Sequence, residues 1–278
     1  MFENRRLIIA TKHGKENVIA PILERELGVR CFVDAAFDTD ALGTFTGEVE
    51  RELDPVSTAR EKCLRAMKAN DCDLGIASEG SFGPHPSMVF VNADDEILIF
   101  IDSKNKIEIV VREVSVDTNF NEREISTKAE LLEFAKQAAF PEHALILRKS
   151  KESTADIHKG IRDISTLEST FTLLREKYPV VYAETDMRAM HNHKRMMVIA
   201  AAAEKIVQQI QSVCPDCGQP GFGVTDVRRG LICSICFSPT NSVLSYVYSC
   251  MQCGCTKEEM YPNNKMLEDP MYCDSCNP

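Results

Sequence analysis

Four C-x-x-C pairs near the end of the chain constrain its folding more than any other feature: Cys214/Cys217, Cys233/Cys236, Cys250/Cys253 and Cys273/Cys276. Two residues between thiolates let one tight turn aim both sulfurs at a single ion, and a second turn completes a tetrahedral site. Gaps of 15 and 19 residues separate the first two and the last two pairs. Both gaps are typical of zinc sites. We therefore predict two structural Zn²⁺ ions bound by these eight cysteines.

The four pairs can be combined in two ways. Sequential pairing joins the first with the second and the third with the fourth, which gives two stacked zinc ribbons. Interleaved pairing joins the first with the third and the second with the fourth, which gives a cross-brace. The gaps are ordinary ribbon lengths, so we favour the sequential arrangement. Disulfides are the alternative use of the cysteines, and they are rare in the cytosol.

Composition and charge narrow the classes of function. The chain has 278 residues, 44% of them hydrophobic, and a formal net charge of −10, which fits a globular protein of about two domains. Its longest uncharged apolar run, 196–203, falls short of the roughly 20 residues that span a bilayer. The apolar run 7–10 is too short for a signal-peptide core of about 7–15 residues. We expect a cytoplasmic protein without membrane contact.

The cysteine-rich segment is predicted to be a small C-terminal domain, residues 213–278. It carries four basic and seven acidic side chains, and four thiolates around each divalent ion add further negative charge. Such a surface repels phosphates, so nucleic acid is a disfavoured partner. A closed site of four cysteines has no open coordination position and is structural rather than catalytic. The module is therefore expected to brace the protein or to contact a protein partner.

Residues 1–212 alternate between strand and helix patterns, which predicts an α/β domain with a layered mixed sheet flanked by helices. The apolar spacing predicts helices at 15–27, 55–69, 127–138, 165–177 and 194–211. It predicts strands at 6–11, 29–33, 74–77, 97–101, 107–111, 144–147 and 180–183. Asp54 is a plausible N-cap, with Pro55 in the first turn of its helix. The polar stretch 148–163 is predicted to be a linker or an active-site loop.

The segment ATKHGKEN, residues 10–17, joins a strand to a helix through a glycine turn. Amide groups at a helix N-terminus together with a lysine form a natural phosphate site. Lys12, Gly14 and Lys15 are therefore candidate phosphate-binding residues. The alternative is an ordinary strand-to-helix turn, because the full Walker loop is absent.

Two acidic segments are candidates for metal binding and catalysis. In GIASEGSFGPHP, residues 75–86, we expect Glu79 at the carboxyl end of a strand, where α/β sheets bind ligands. Glu79 is the leading candidate for a metal-binding carboxylate or a general base. The loop 37–54 supplies carboxylates that would hold Mg²⁺ near a phosphate, namely Asp38, Asp40, Glu48, Glu50 and Asp54. The alternative for most of that loop is a solvated acidic surface.

The segment ETDMRAMHNHKRM, residues 184–196, follows another apolar strand. Arg188 and Arg195 are candidates to hold phosphates bidentately, and His191 is a group that acts near neutral pH. The alternative is a helix start capped by Asn192. The polar segment 155–163 is a weaker candidate for a lid.

The chain resembles an uncharacterised family of unknown function that has an α/β N-terminal part and a tail of paired C-x-x-C motifs. The stretches that carry this resemblance are ATKHGKENVIAP, FDTDALGTFTGEVER, ASEGSFGPHP, ETDMRAMHN and CPDCGQPGFGV.

Residues 7–102 are also distantly similar to the inosine/xanthosine triphosphatase group. The matching features are the lysine at the first helix start, Lys15, the acidic residue Asp54 before TAREKC, and the strand end GIASEGS with Glu79. This resemblance implies hydrolysis of a nucleoside triphosphate to the monophosphate and pyrophosphate, with Mg²⁺ as cofactor. Lys15 would hold phosphate, and Asp54 and Glu79 would bind metal or activate water.

Two hypotheses of different classes follow. The first is a phosphohydrolase, dependent on Mg²⁺ or Mn²⁺, that acts on a nucleoside triphosphate or a related phosphorylated small molecule and carries structural zinc ribbons. The second is a non-enzymatic zinc-binding protein whose ribbons mediate protein contacts.

Overall fold

The computed structural model describes residues 1–37 and 53–278. The acidic loop predicted at 37–54 lies mostly outside these residues. The described chain forms two compact units, Met1–Val207, here the N-terminal unit, and Gln208–Pro278, here the C-terminal unit. The described parts contain five α-helices and three β-sheets, so the predicted mixed α/β class is confirmed.

The first sheet of the N-terminal unit has five strands in the order β2-β1-β3-β4-β5. Its strands are β1 (Arg6–Ala10), β2 (Arg30–Phe32), β3 (Leu74–Pro84), β4 (Asn92–Asp102) and β5 (Ile107–Ser115). The strand β1 is parallel to both β2 and β3, whereas β3, β4 and β5 form antiparallel pairs. The sheet is therefore mixed, with its parallel part at β2-β1-β3.

Two helices connect the parallel strands. The helix α1 (Glu16–Leu27) leads from β1 to β2, and α2 (Pro55–Ala69) precedes β3. Asp54 caps α2, and Pro55 is in its first turn, both as the sequence predicts. Small and apolar side chains of α2 pack on one face of the sheet, namely Ala59, Cys63, Ala66 and Met67 against Ile8, Ala77, Ile99 and Ile101.

The second sheet has four strands in the order β6-β9-β7-β8. Its strands are β6 (Glu122–Ile125), β7 (Leu145–Arg148), β8 (His158–Ile161) and β9 (Val181–Thr185). The helices α3 (Lys128–Gln137) and α4 (Ile164–Lys177) pack on one face, where Phe134, Leu167 and Phe171 are buried. The last helix, α5 (His193–Gln211), follows β9.

The C-terminal unit contains an antiparallel sheet of three strands, β10 (Gly223–Arg229), β11 (Val243–Ser249) and β12 (Thr256–Met260). The strand β10 pairs with β11 from Gly223↔Ser249 to Arg229↔Val243, and β12 pairs with the other side of β11. The C-x-x-C pairs lie in the connections around these strands.

The structure corrects two sequence predictions. The strand predicted at 74–77 continues to Pro84 and pairs with β4 over its whole length, because the glycines of the segment conceal its strand character. The stretch 148–163, predicted to be a linker or active-site loop, contains β8, which pairs with β7. The formation of both strands depends on pairing with another strand, and the local sequence of these segments shows this only weakly.

Candidate functional site

The eight cysteines of the C-x-x-C pairs form two groups of four. Within each group the ligand atoms all lie within 4.8 Å of one another. The groups are Cys214, Cys217, Cys250 and Cys253, and Cys233, Cys236, Cys273 and Cys276. Closest Sγ–Sγ distances between the two pairs of a group are 3.5 to 3.8 Å. Tetrahedral bonds of about 2.3 Å to Zn²⁺ require sulfurs about 3.8 Å apart, so each group can hold one metal ion.

The pairing is interleaved, so the sequential pairing that the sequence favours is wrong. The strand β10 lies in the gap between the first two pairs, and its seven residues span about 20 Å. The first and second pairs therefore lie at opposite ends of the sheet. Because Gly223 pairs with Ser249, the first pair meets the third pair at one end. The second pair meets the fourth at the other end, where Cys233 bridges Glu268.

The strand order of the first sheet puts a topological switch point at the carboxyl end of β1. The connection that follows β1 leads to β2 on one side of β1, and the next connection leads to β3 on its other side. Open α/β sheets bind ligands at such a switch point. The pairing of β1 with β3 ends at Ala10↔Ala77, so residues 78–84 of β3 extend beyond it. The turn 11–15 lies here, and Gly14 adopts φ of +72°, a conformation that favours glycine.

Lys15 is the N-cap residue of α1, and its side chain is buried beside this extension of β3. Its Nζ donates a hydrogen bond of 2.8 Å to Ser78 Oγ and lies 3.9 Å from Glu96 Oε2. Burial lowers the pKa of Lys15 to about 8, although Glu96 opposes this shift. The structure thus places a buried, titratable ammonium group at the start of a helix.

Arg195 from α5 reaches the same face of the sheet. Its Nε donates a 2.6 Å hydrogen bond to Glu96 Oε1, its Nη1 donates to Met187 O, and its guanidinium lies over the Phe82 ring. Gly80 makes this approach possible, since a Cβ there would lie 2.2 Å from Glu96 Oε1 and 2.3 Å from Arg195 Nη2. Lys15 and Arg195, distant in sequence, therefore meet at Glu96.

The sequence predicts Glu79 at the end of a strand, and this is wrong. Glu79 lies within β3, where it pairs with Ile97 of β4. Alternating strand geometry places it on the opposite face from Ser78. There it forms a buried ion pair with Lys62 of α2. The two faces still interact electrostatically, because Glu79 and Lys62 both affect the pKa of Lys15.

The carboxyl group of Asp94 is buried near Lys15, Glu96 and Arg195. Its side chain is 1% exposed, and Oδ1 has no hydrogen-bond partner among the described residues. Burial is the main cause that raises the pKa of Asp94 to about 8, with nearby Glu96 second. We use the name buried charge cluster for Lys15, Lys62, Glu79, Asp94, Glu96 and Arg195.

Arg188 and His191 lie in the segment that follows β9. Arg188 donates two side-chain hydrogen bonds to Asp186, of 2.9 and 2.6 Å. Gly160 packs against both side chains: a Cβ there would lie 3.1 Å from His191 Nε2 and 3.4 Å from Arg188 Nη2. Burial lowers the pKa of His191. Asn192 accepts a hydrogen bond from Arg195 N, as expected of a cap at the start of α5.

One contact connects this segment to the turn at β1. A Cβ on Gly14 would lie 3.8 Å from Met190 Cβ. Lys12 is exposed in the same turn. The structure therefore brings the candidate phosphate-binding turn next to the segment of Arg188 and His191.

Asp54 is exposed, and its Oδ1 accepts hydrogen bonds from Val56 N and Ser57 N. The Ser57 hydrogen bonds are the main cause that lowers its pKa. We expect Asp54→Ala to lower the midpoint of thermal unfolding, and Asp54→Ser to retain it, because serine is also a good N-cap. Circular dichroism melts at pH 7 measure this, and equal midpoints for wild type and the alanine variant would contradict it.

The capping contribution of Asp54 has a defined pH dependence. Because the pKa is lower in the folded state, this stabilisation is present above the ordinary value of 3.8 and is lost as the pH falls through the folded-state pKa. Asp54→Ser should lack this acid-side loss.

Sequence analysis did not identify Lys62, Asp94 and Glu96. A signal for the last two is present, since Asp94 and Glu96 alternate along NADDEILIF and therefore share one face of a strand. Lys62 has no such signal, because its partner Glu79 is 17 residues away in sequence.

One protein-family model, described as Domain of unknown function (DUF6671), matches residues 62–278. The chain belongs to this family. The matched region includes both cysteine groups and most of the buried charge cluster. This confirms the resemblance to an uncharacterised family. No curated protein sequence matches the chain, and the resemblance to the inosine/xanthosine triphosphatase group is not confirmed. No helix among the described residues has the length and apolar character needed to span a membrane.

Proposed function

We propose that the N-terminal unit is a phosphohydrolase, dependent on Mg²⁺ or Mn²⁺, that acts on a nucleoside triphosphate or a related phosphorylated small molecule. The observation that carries the proposal is the position of Lys15. Its buried ammonium group lies at the start of α1 and beside β3, at the switch point of the sheet. Helix N-terminal amides and a desolvated cation together favour a phosphate group there.

The proposed reaction adds one water to the substrate. The water oxygen forms a bond to phosphorus, the bond to the pyrophosphate leaving group breaks, and the proton of the water passes to a base. A bound Mg²⁺ would supply charge neutralisation and help to activate the water. Lys15 would hold phosphate oxygens, with Lys12, Gly14, Arg188, His191 and Arg195 as further candidates for substrate contact. Asp54 is a candidate metal ligand. Glu79 faces the other side of the sheet and is paired with Lys62, so it is not placed to act as the base for a substrate held by Lys15.

The proposal is tested with a panel of nucleoside triphosphates in the presence of Mg²⁺ or Mn²⁺, measuring pyrophosphate and phosphate release. We expect Lys15→Met to lose activity, because it removes the phosphate-binding cation. Lys104→Met is the control, since Lys104 is exposed in the turn between β4 and β5. Thermal unfolding of each variant establishes that it is folded. If wild-type protein that retains its zinc turns over none of these nucleotides, the proposed hydrolase activity is contradicted.

We propose further that both cysteine groups bind Zn²⁺. Four thiolates in a closed tetrahedral arrangement are the donor set of structural zinc sites. The distances between sulfurs given above fit this ion without rearrangement.

A second candidate function is protein binding by the C-terminal unit. Large apolar side chains are exposed around the group of Cys233, Cys236, Cys273 and Cys276: Ile235, Phe237, Met271 and Tyr272 are 62 to 69% exposed. Clustered exposed apolar side chains are typical of protein contact surfaces. This candidate becomes the leading one if the wild-type protein, with its zinc, hydrolyses no nucleotide in the panel.

A further inference from the structure

Asp94 and Glu96 are two acidic residues on the same face of β4, opposite Phe82 and Gly80 of β3. Their side chains are 1% and 0% exposed. Carboxylates are rarely buried to this extent unless they are paired or bind a metal ion. Two of them, side by side on one strand, need an explanation beyond packing.

Each carboxylate has one oxygen without a hydrogen-bond donor among the described residues, Asp94 Oδ1 and Glu96 Oε2. The nearest cation to the second oxygen is Lys15 Nζ, at 3.9 Å, which is beyond hydrogen-bond distance. The other oxygen of Glu96 is already engaged by Arg195. The two unsatisfied oxygens are therefore acceptor positions on one buried face.

We propose that Asp94 Oδ1 and Glu96 Oε2 together bind one divalent cation, Mg²⁺ or Mn²⁺. Hard divalent cations take oxygen ligands, and Mg²⁺ is commonly held by one or two carboxylates, with waters and phosphate oxygens as its remaining ligands. Zn²⁺ is not the expected ion here, because this chain supplies thiolates for it elsewhere.

The surrounding charges connect the ion to phosphate binding. Once the cation has displaced the proton of Asp94, Lys15 and Arg195 balance Asp94 and Glu96, and the divalent cation gives the site an excess of two positive charges. A phosphate group held by Lys15 would offset this excess and supply oxygen ligands. The role of the ion thus rests on the proposed function, and ion and phosphate should strengthen each other's binding reciprocally.

Binding of Mn²⁺ tests the proposal without any turnover. The full chain, loaded with Zn²⁺, is titrated with Mn²⁺, and free Mn²⁺ is measured by electron paramagnetic resonance with and without inorganic phosphate. We expect wild type to bind one Mn²⁺ and Asp94→Asn, which keeps the size of the side chain, to lose it. Glu184→Gln is the matched control, because Glu184 is also buried with one unpartnered oxygen, and it should bind as wild type does.

Absence of Mn²⁺ binding by wild type, or equal binding by the Asp94→Asn variant, would overturn the proposal. If that variant does not fold, the anomalous scattering of Mn²⁺ soaked into wild-type crystals gives the answer. A peak between the two carboxylates supports the site, and a peak only elsewhere overturns it.

The two proposals fail in different ways. Mn²⁺ bound at Asp94 without hydrolysis of any nucleotide removes the hydrolase and keeps the cation site. Hydrolysis by wild-type protein that binds no Mn²⁺ at Asp94 removes the cation site and keeps the hydrolase.

Discussion

Replacing Cys217 and Cys236 together should leave the protein without tightly held zinc, whereas replacing Cys217 and Cys253 together should leave one ion in place. Both variants remove two thiolates. In the interleaved arrangement the first pair of substitutions damages both groups of four, but the second damages one group and leaves the other intact. Sequential pairing predicts the opposite result for each variant.

The measurement is the zinc content per chain after competition with a chelator. Apparent binding free energies of structural Zn²⁺ are about 10–16 kcal/mol, so an intact group should retain its ion when a group with three thiolates releases it. Cys31→Ser serves as the control, because Cys31 lies outside both groups, and it should retain two ions. One retained ion in the Cys217/Cys236 variant would contradict the interleaved pairing.

Loss of the metal should also destabilise the fold of the C-terminal unit. The C-terminal unit has a thin core, in which Phe222 packs with Cys214 and Cys250. A single core in a unit of this size supplies little stability, and metal ions or disulfides commonly add to it. No disulfide joins any of the 12 cysteines, all of which lie in the described residues. We therefore expect the metal-free C-terminal unit to unfold.

Removing the guanidinium group from the buried ion pair of Arg195 with Glu96 should strongly reduce the stability of the N-terminal unit. Arg195→Met should lower the free energy of unfolding of the N-terminal unit by about 3–5 kcal/mol, the usual cost of leaving one partner of a buried ion pair uncompensated. The side chains are 5% and 0% exposed, so water cannot replace the lost contact. Met187 O also loses its hydrogen-bond donor.

Urea unfolding followed by the helical circular dichroism signal measures this change, and a double-mutant cycle separates its causes. The combined variant with Arg195→Met and Glu96→Gln should lose less stability than the sum of the single changes, because it removes both charges of this pair together. The exposed pair of Arg25 with Glu204 provides the control, and Arg25→Met should unfold at the same urea concentration as wild type. An Arg195→Met variant as stable as the control would contradict a role for this pair.

Local signals in the sequence were sufficient for the helices and for the metal-binding residue types. The helix Pro55–Ala69 is found with the predicted bounds, because its cap, its proline and its apolar spacing act within a few residues of one another. The eight cysteines form four-thiolate groups, because a C-x-x-C turn aims two sulfurs together whatever surrounds it.

Placement of the site residues depended on distant pairing. The sequence identified Lys15, Glu79 and Arg195 as candidates, but gave no means of separating Glu79 from the other two. The antiparallel pairing of β3 with β4 puts Glu79 on one face and Gly80 with Glu96 on the other. That register also brought Asp94 into the buried charge cluster, whereas the sequence pattern shows only that Asp94 and Glu96 share one face of a strand.

The sequence by itself therefore determined which side chains of this protein can bind metal through sulfur, and where its helices begin and end. Only the tertiary structure decided which cysteine pairs share an ion and which charged groups meet in the interior. The reason is physical: turn geometry and helix capping are satisfied within a few residues, whereas the positions of strand ends depend on strands paired across the sheet. The single strand β10, about 20 Å long, separates the first two cysteine pairs in space although they are neighbours in sequence.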